Sequence, residues 1–269
     1  MIRNVTALVL SLMACSSYSW NAMGHQLVAQ IAYDNLTPKA KKMCNYYNRS
    51  LDKFSRSRNF VVAATWLDAI RAKDMHWFDS LHYIDIPYSN DGTPLPPIPE
   101  SNALVGIKQS LDVLRSTKTS AADKGLALRI VTHVVGDIHQ PLHTIAQISN
   151  QHPHGDMGGN LFPLEHNSIG NNLHQYWDNG GGVLLGQSKH FQIQNKARYL
   201  EGKWSCKSLN TSKKPAQWVR ETHKIALTQV YNLPQGTLPS KRYQLNVQNT
   251  SQKQIVIAGC RLASLLNSL

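Results

Sequence analysis

The sequence contains few acidic residues and few cysteines. Asp and Glu together number 16 against 28 Lys and Arg, and the 269 residues include four cysteines. No two cysteines form a Cys-x-x-Cys pair, so we do not expect cysteine to ligate a metal. The chain also lacks internal repeats, low-complexity tracts and a linker, which indicates one domain with a sizeable core. The basic excess favours phosphate-rich partners, either nucleic acids or anionic membranes.

The N-terminus has the pattern of a secretory signal peptide. Arg3 supplies a positive start, and residues 5–14 form a mostly apolar run that is too short to span a bilayer. Ser17 and Ser19 are small residues at the two positions that signal peptidase reads. We therefore expect residues 1–19 to be removed and the protein to be secreted or periplasmic. An alternative is a lipoprotein-like cleavage that would leave Cys15 acylated.

Export affects the cysteines that remain. Cys44, Cys206 and Cys260 survive cleavage after Ser19, and exported proteins meet an oxidising compartment. We expect one disulfide bond and one free thiol, and the sequence leaves the three possible pairings open.

Hydrophobic periodicity predicts a mainly α-helical domain over residues 20–269. Thr37 and Pro38 open a helix as its cap and first turn, and Pro141 should end or kink the helix before it. Leu81–Tyr88 has the pattern of a short extended or β-hairpin segment. The remaining predicted helices are Gly24–Leu36, Asn59–Ala72, Ser101–Leu114, Ala121–Gln140, Asn171–Asp178, Pro215–Tyr231 and Gln252–Leu266.

Two His-x3-Asp pairs give the strongest chemical signal. His133 pairs with Asp137, and His174 pairs with Asp178. On a helix, residues four apart share a face with Cβ atoms about 5–6 Å apart, so each pair can chelate a metal ion. A single pair at this spacing more often makes a surface hydrogen bond. Two pairs in apolar and aromatic surroundings favour metal binding.

Further candidate ligands lie upstream of these pairs. Asp68 interrupts an apolar stripe, where a buried carboxylate needs a partner. Taken alone, His25 and His82 would each more often be a core or solvated residue, so only their joint presence with the pairs indicates a metal site. His139 points away from His133 by helical phase and is expected to pack rather than to ligate.

From Trp20 to Asp178, specific strings make the chain resemble the zinc-dependent single-strand nuclease family of fungi, plants and bacteria. These are type I nucleases with three zinc ions and 3′-nucleotidase activity, distantly related to the bacterial zinc phospholipases C. The strings are a Trp with a His five residues later, Trp-x-Asp, His-Tyr-Ile-Asp, His-x3-Asp-x5-His and a second His-x3-Asp.

The resemblance implies an all-α, phospholipase C/nuclease-like fold with a trinuclear zinc cleft and a ligand set for each ion. The Trp20 ligands are its amine nitrogen and carbonyl oxygen, and they exist as such only after signal cleavage. The amine has an ordinary pKa of about 8, so it loses a proton readily near neutral pH. Asp137 would bridge the first and third ions. The implied ligands are Asp68, His82, His133 and Asp137 for the first zinc, His143, His174 and Asp178 for the second, and Trp20, His25 and Asp137 for the third.

The resemblance also implies a function. A zinc-bound hydroxide would cleave phosphodiester bonds of single-stranded DNA and RNA to leave 5′-phosphate products. Mononucleotides would be further substrates, through the 3′-nucleotidase activity. Asp68 and Asp137 would be catalytic, Arg71 would hold the phosphate, and Tyr83, Asp85 and Asn160 match base-binding positions. We expect a monomer with no stable protein partner. Peripheral contact with anionic membranes is compatible with the charge.

Two alternatives remain at this stage. The phospholipases C carry an acidic residue where this chain has Met23, and their last ligand is typically Glu where this chain has Asp178. Both differences favour the nuclease. A non-catalytic zinc-binding export protein would need closed sites with four protein ligands, whereas the second zinc would have three.

Overall fold

The computed structural model describes residues 20–51, 56–209 and 212–269. The predicted signal peptide and Cys15 lie outside the described residues. The described residues are mainly helical, as the sequence predicted, and none of their helices has the length and hydropathy of a membrane span. The α-helices are α1 (Ala22–Asp34), α2 (Pro38–Leu51), α3 (Phe60–Ala63), α4 (Trp66–Arg71), α5 (Ala103–Arg115), α6 (Ala121–Asp137), α7 (Leu173–Asp178), α8 (His190–Lys203), α9 (Pro215–Ile225) and α10 (Lys241–Leu266).

Short turns of tighter or wider helix connect several of these elements. Four are 3₁₀ turns, and the fifth is a π-helical turn that continues α9. They are Arg56–Arg58, Asp79–His82, Pro141–Thr144, Gly180–Gly182 and the π turn Ala226–Val230.

Helix α6 begins and ends where local chemistry dictates. The Ser120 hydroxyl accepts a hydrogen bond from the Asp123 backbone, and the Asp123 carboxylate accepts one from the Ser120 backbone, which forms a capping box. The helix ends at Asp137 rather than at the predicted Gln140. Gln140 is extended, with φ −87° and ψ 120°, because the residue before a proline disfavours helical geometry. The break turns the chain into the 3₁₀ turn that carries His143.

Several predicted helix boundaries are wrong. The predicted helix Asn59–Ala72 is two short helices, α3 and α4, separated at Ala64 and Thr65. Helix α8 was not predicted, although Ile193, Ala197 and Leu200 form a buried stripe, because the rest of its surface is polar. The last helix is longer than predicted, since its N-cap is Ser240, whose hydroxyl accepts from the Tyr243 backbone.

The extended segment forms a strand but no hairpin. It begins with the 3₁₀ turn Asp79–His82 and continues to β1 (Pro87–Tyr88), which pairs in parallel with β2 (Ala146–Gln147). The hairpin expectation is therefore wrong, because the partner strand is supplied by a segment distant in sequence rather than by the next one. The pairing holds the chain after His82 beside the chain after His143.

The helices pack into two hydrophobic clusters. In the main core, α1 packs against α10 and α8, while α2 and α5 pack against α6. A second, smaller core gathers Leu142, Phe162, Leu173, Trp177 and Val230 beside the 3₁₀ turn and α7. Two different cores therefore support the candidate ligands described below.

A disulfide bond joins two segments within the C-terminal third of the chain. Cys206, after α8, is bonded to Cys260 in α10. Among the cysteines that the structure describes, Cys44 is the free thiol; it is buried, and burial raises its pKa to about 12. The pairing left open by the sequence is thus settled, and it suits an oxidising compartment.

Candidate metal centre

Eight side chains predicted as ligands come together in two buried clusters. The first cluster combines residues of α1, α4, the 3₁₀ turn Asp79–His82 and α6, and the second combines the 3₁₀ turn Pro141–Thr144 with α7. All are at most 9% exposed. The first cluster is His25, Asp68, His82, His133 and Asp137, and the second cluster is His143, His174 and Asp178.

Asp137 lies at the centre of the first cluster. Its Oδ1 is 3.4 Å from His25 Nε2, while its Oδ2 is 3.2 Å from His82 Nδ1 and 3.4 Å from His133 Nε2. The His25 and His133 rings stack with centroids 3.8 Å apart. The two oxygens of one carboxylate therefore face different imidazoles, which is the arrangement that a bridging ligand requires.

The second cluster holds two imidazoles with their Nε2 atoms close together, and the planes of the two rings are tilted by 49°. His143 Nε2 and His174 Nε2 are 3.1 Å apart, and His174 Nε2 is 3.5 Å from Asp178 Oδ2. Each ring makes a 2.7 Å hydrogen bond through Nδ1, from His143 to the His82 carbonyl and from His174 to the Gly158 carbonyl. A neutral imidazole that donates through Nδ1 presents a lone pair at Nε2, so both nitrogens are acceptors. Two such lone pairs repel each other at this distance, and a cation bound by both Nε2 atoms would remove the repulsion.

The donor chemistry of both clusters fits a metal such as zinc. The described residues contain three groups of His and Asp whose ligand atoms lie within 4.8 Å of one another, and imidazole with carboxylate is a common zinc ligand set. Within the part of the chain that the structure describes, Asp68 Oδ1 is buried and has no hydrogen-bond partner, and a metal ion would satisfy it. The groups are His25, His133 and Asp137; Asp68, His82 and His133; and His143, His174 and Asp178.

The electrostatics of the first cluster favour a bound cation. Burial lowers the pKa of His25 to about 3, so its imidazole is neutral and can ligate. Burial also disfavours the charged form of His133, but the carboxylates of Asp137 and Asp68 outweigh it and raise its pKa to about 9. The buried carboxylates thus stabilise positive charge in their midst. In the second cluster, burial raises the pKa of Asp178.

Two glycines and one tryptophan allow the close approach of these groups. A Cβ on Gly136 would lie 3.0 Å from His25 Nδ1, and one on Gly158 would lie 2.4 Å from the Leu142 carbonyl oxygen. Trp20 is fully buried, and its Nε1 donates to the Gly136 carbonyl at 3.0 Å. That bond places Trp20 beside the end of α6, one residue before Asp137.

Gln140 is a site residue that the sequence reasoning missed. It is fully buried, its Nε2 donates to Asp178 Oδ1 at 2.6 Å, and its Oε1 accepts from the Leu142 backbone at 2.7 Å. Its position between Asp137 and His143 was the only available signal. His139 packs as expected, with Nδ1 donating to the Val135 carbonyl and Nε2 accepting from Arg261 at 2.9 Å.

Two cavities border the clusters, and His174 contributes to both. The small cavity, of about 130 Å³, is lined by Arg71, Tyr83 and Asp85 together with His82 and His143. Arg71 Nε lies 3.4 Å from Asp79 Oδ1. The large cavity, of about 630 Å³, adjoins Asp68 and Asp178. Asn160 lines the large cavity, so the structure separates it from Tyr83 and Asp85, with which the sequence grouped it.

Sequence comparisons with known proteins agree with this chemistry. The chain is 24% identical to Nuclease P1 of Penicillium citrinum over 93% of this chain and 97% of the relative. It is 27% identical to Endonuclease 2 of Arabidopsis thaliana over 80% of this chain and 73% of the relative. It is 26% identical to Nuclease S1 of Aspergillus oryzae over 71% of this chain and 66% of the relative.

The match to a family extends over the whole of the predicted mature chain. The model of the S1/P1 Nuclease family matches residues 20–269, which include both clusters and both cavities. The chain therefore belongs to the S1/P1 nuclease family of zinc-dependent nucleases, which are hydrolases of phosphodiester bonds.

Proposed function

We propose that this protein is a secreted, zinc-dependent endonuclease. It hydrolyses phosphodiester bonds of single-stranded DNA and RNA to 5′-phosphate products and also acts as a 3′-nucleotidase. The observation that carries this proposal is that three buried groups of His and Asp come together in one protein, and that two of these groups have residues that line the cavities.

The proposed ligands are those that the family resemblance implies, with three zinc ions per chain. Asp137 serves two of the ions, which is supported by the separate directions in which its two oxygens face imidazoles. Trp20 completes the third site through its amine and carbonyl oxygen, which is supported by its position beside the end of α6. The proposed sets are Asp68, His82, His133 and Asp137; His143, His174 and Asp178; and Trp20, His25 and Asp137.

The chain's own residues position the reacting groups. When bound, zinc supplies positive charge for the phosphate oxygens and lowers the pKa of water to about 7. Asp68, which lines the large cavity, and the fully buried Asp137 would hold the reacting centre. Arg71, at the small cavity, binds a phosphate oxygen, and its ion pair with Asp79 sets the direction of the guanidinium. The 3′ oxygen leaves with a proton, and the phosphate stays on the 5′ side.

The small cavity accounts for the preference for single strands. Its volume of about 130 Å³ admits one unpaired base and excludes a base pair. Stacking on Tyr83 stabilises a bound base by about 1–3 kcal/mol, and Asp85 can accept hydrogen bonds from the base edge. Asn160 contacts the substrate from the large cavity.

Processing and environment follow from the same proposal. Cleavage after Ser19 leaves residues 20–269 as the catalytic domain and frees the Trp20 amine. The disulfide bond supports an exported protein. The protein acts as a monomer, and its basic surface attracts nucleic acid and, peripherally, anionic membranes.

The test is an assay of the processed, zinc-loaded protein on matched substrates. We expect cleavage of denatured DNA and of RNA, slow cleavage of duplex DNA, and products that carry 5′-phosphates. Release of phosphocholine from phosphatidylcholine without release of nucleotides would instead establish a phospholipase C. A zinc-loaded protein inert towards every phosphodiester would leave only a zinc-binding role.

A further inference from the structure

The large cavity lies beside the candidate ligands, and its lining bears on which part of the substrate it could receive. It shares His174 with the small cavity, while Asp68 and Asp178 lie in its wall. A phosphate bound beside His174 would therefore border both cavities. Because a phosphodiester carries one nucleoside on each of two oxygens, the two nucleosides of the scissile bond need two separate places.

The walls of the large cavity are uncharged apart from the candidate ligands. Among the described residues that line it, the only acidic or basic ones are Asp68, His174 and Asp178. Three exposed alanines, Ala22, Ala69 and Ala72, form its apolar part. The amides that line it are Asn21, Asn160, Asn172, Gln175 and Asn179. The small cavity, in contrast, contains Arg71 and Asp85.

Two of these amides have donors to offer a ligand. Asn172 Oδ1 accepts from the Gln175 backbone at 2.8 Å, and Gln175 Oε1 accepts from the Asn171 backbone at 2.9 Å. Within the described part of the chain, the amide nitrogens of Asn172 and Gln175 make no hydrogen bond. Neutral donors beside small apolar side chains suit a sugar and base, whereas a second phosphate would need Lys or Arg.

We propose that the large cavity is a nucleoside-binding subsite for the part of the substrate that keeps the phosphate. The inference rests on the proposed function. The small cavity receives the nucleoside that carries the leaving 3′ oxygen, and the large cavity receives the nucleoside joined through its 5′ oxygen. Water adds an oxygen to phosphorus, the bond from phosphorus to the 3′ oxygen breaks, and the 3′ oxygen takes up a proton. A volume of about 630 Å³ accommodates this second nucleoside.

The test places a bulky side chain in the large cavity and compares the cleavage of two phosphodiesters. Ala69→Trp places an indole at the apolar wall, and Ala122→Trp is the matched control, an exposed alanine of α6 that lines neither cavity. The substrates are a dinucleotide and the corresponding nucleoside 3′-methylphosphate, which lacks the second nucleoside. We expect Ala69→Trp to lower kcat/KM for the dinucleotide by at least about tenfold, because the variant can no longer bind the second base. For the methyl ester, kcat/KM of the variant should stay within about twofold of the wild-type value.

Three results would overturn the proposal: equal losses on both substrates, no loss on either, or the same loss in Ala122→Trp. A dinucleotide with a methylene group in place of the bridging 3′ oxygen cannot be cleaved, so calorimetry can measure its binding without catalysis. Ala69→Trp should lower the affinity for this analogue at least about tenfold. Failure of the proposed function looks different, because the zinc-loaded wild-type protein would then cleave neither diester.

Discussion

The first and second clusters are built from different kinds of structure. Three of the five donors of the first cluster, His25, His133 and Asp137, lie on α1 and α6, helices of 13 and 17 residues that pack into the main core. The donors of the second cluster lie on a four-residue 3₁₀ turn and on α7, which has six residues and packs into the smaller core. Long helices fix their side chains through packing over many residues, whereas short elements have few contacts that can do so.

Hydrogen bonds compensate for the shorter elements. In the second cluster every donor residue has a specific partner: the His82 carbonyl for His143, the Gly158 carbonyl for His174, and the Gln140 amide for Asp178. Such partners orient a ligand and set its tautomer. The first cluster also has a bond of this kind, from His133 Nδ1 to the Ala64 carbonyl at 2.7 Å. The comparison therefore teaches that individual bonds orient every donor of the second cluster, while shared carboxylates and long, packed helices add to such a bond in the first.

The largest expected effect is on metal content and activity, when Asp137, a ligand shared within the first cluster, is compared with His174, which belongs to the second cluster alone. Asp137→Asn removes the negative charge that faces three imidazoles, so we expect loss of metal from the whole first cluster and a fall in kcat/KM of at least about 10³-fold. His174→Ala should remove metal from the second cluster alone, and it should lower kcat/KM by less than Asp137→Asn does. Metal content by elemental analysis, beside kinetics on denatured DNA, provides the comparison. Equal, mild losses in both variants would contradict the bridging role of Asp137.

A smaller effect tests the dependence of the second cluster on single bonds. Gln140→Met keeps the approximate volume but removes the donor to Asp178, and we expect metal affinity at the second cluster to fall by about 10–100-fold. Gln254→Met is the control, because Gln254 is also buried but donates to the His139 carbonyl and the Thr222 hydroxyl instead. Competition with a zinc-sensitive dye measures the affinities. Similar values for the two variants would remove Gln140 from the metal centre.

The smallest expected effect is on thermal stability, and it concerns Asp85, a carboxylate outside both clusters. Burial, with help from the charge of Asp156, raises the pKa of Asp85 to about 7 from an ordinary value of 3.8. The folded chain holds this proton more tightly than the unfolded chain, so folded stability is lost as the pH rises from about 4 to about 7. Asp85→Asn should therefore raise Tm more at pH 8 than at pH 4. Asp112→Asn, at an exposed position, is the control, and an equal shift at both pH values would refute the raised pKa.

The sequence predicted the site better than the elements that hold it. The His-x3-Asp pairs are local patterns with helical spacing, so His133 with Asp137 and His174 with Asp178 could be recognised without the fold. Gln140 could not be assigned, because its bond to Asp178 joins segments that only tertiary packing brings together. The same reason hid the parallel pairing of β1 with β2 and the partner of Cys206.

The missed helix and the separation of the cavities have other causes. The buried stripe of α8 is narrow, and polar residues surround it, so the periodic signal was weak. Asn160 and Tyr83 were grouped as base-binding positions, but which cavity each residue lines depends on loop geometry around Gly158. A family resemblance transfers residue types to positions, and the structure supplies the distances between them.

The most direct test of the account is the zinc content of the processed protein, beginning at Trp20, measured by elemental analysis together with its nuclease activity. We predict three zinc ions per chain, loss of activity on denatured DNA after thorough chelation, and recovery when zinc is restored. A processed protein that contains no metal, or that cleaves denatured DNA unimpaired after chelation, would contradict the account.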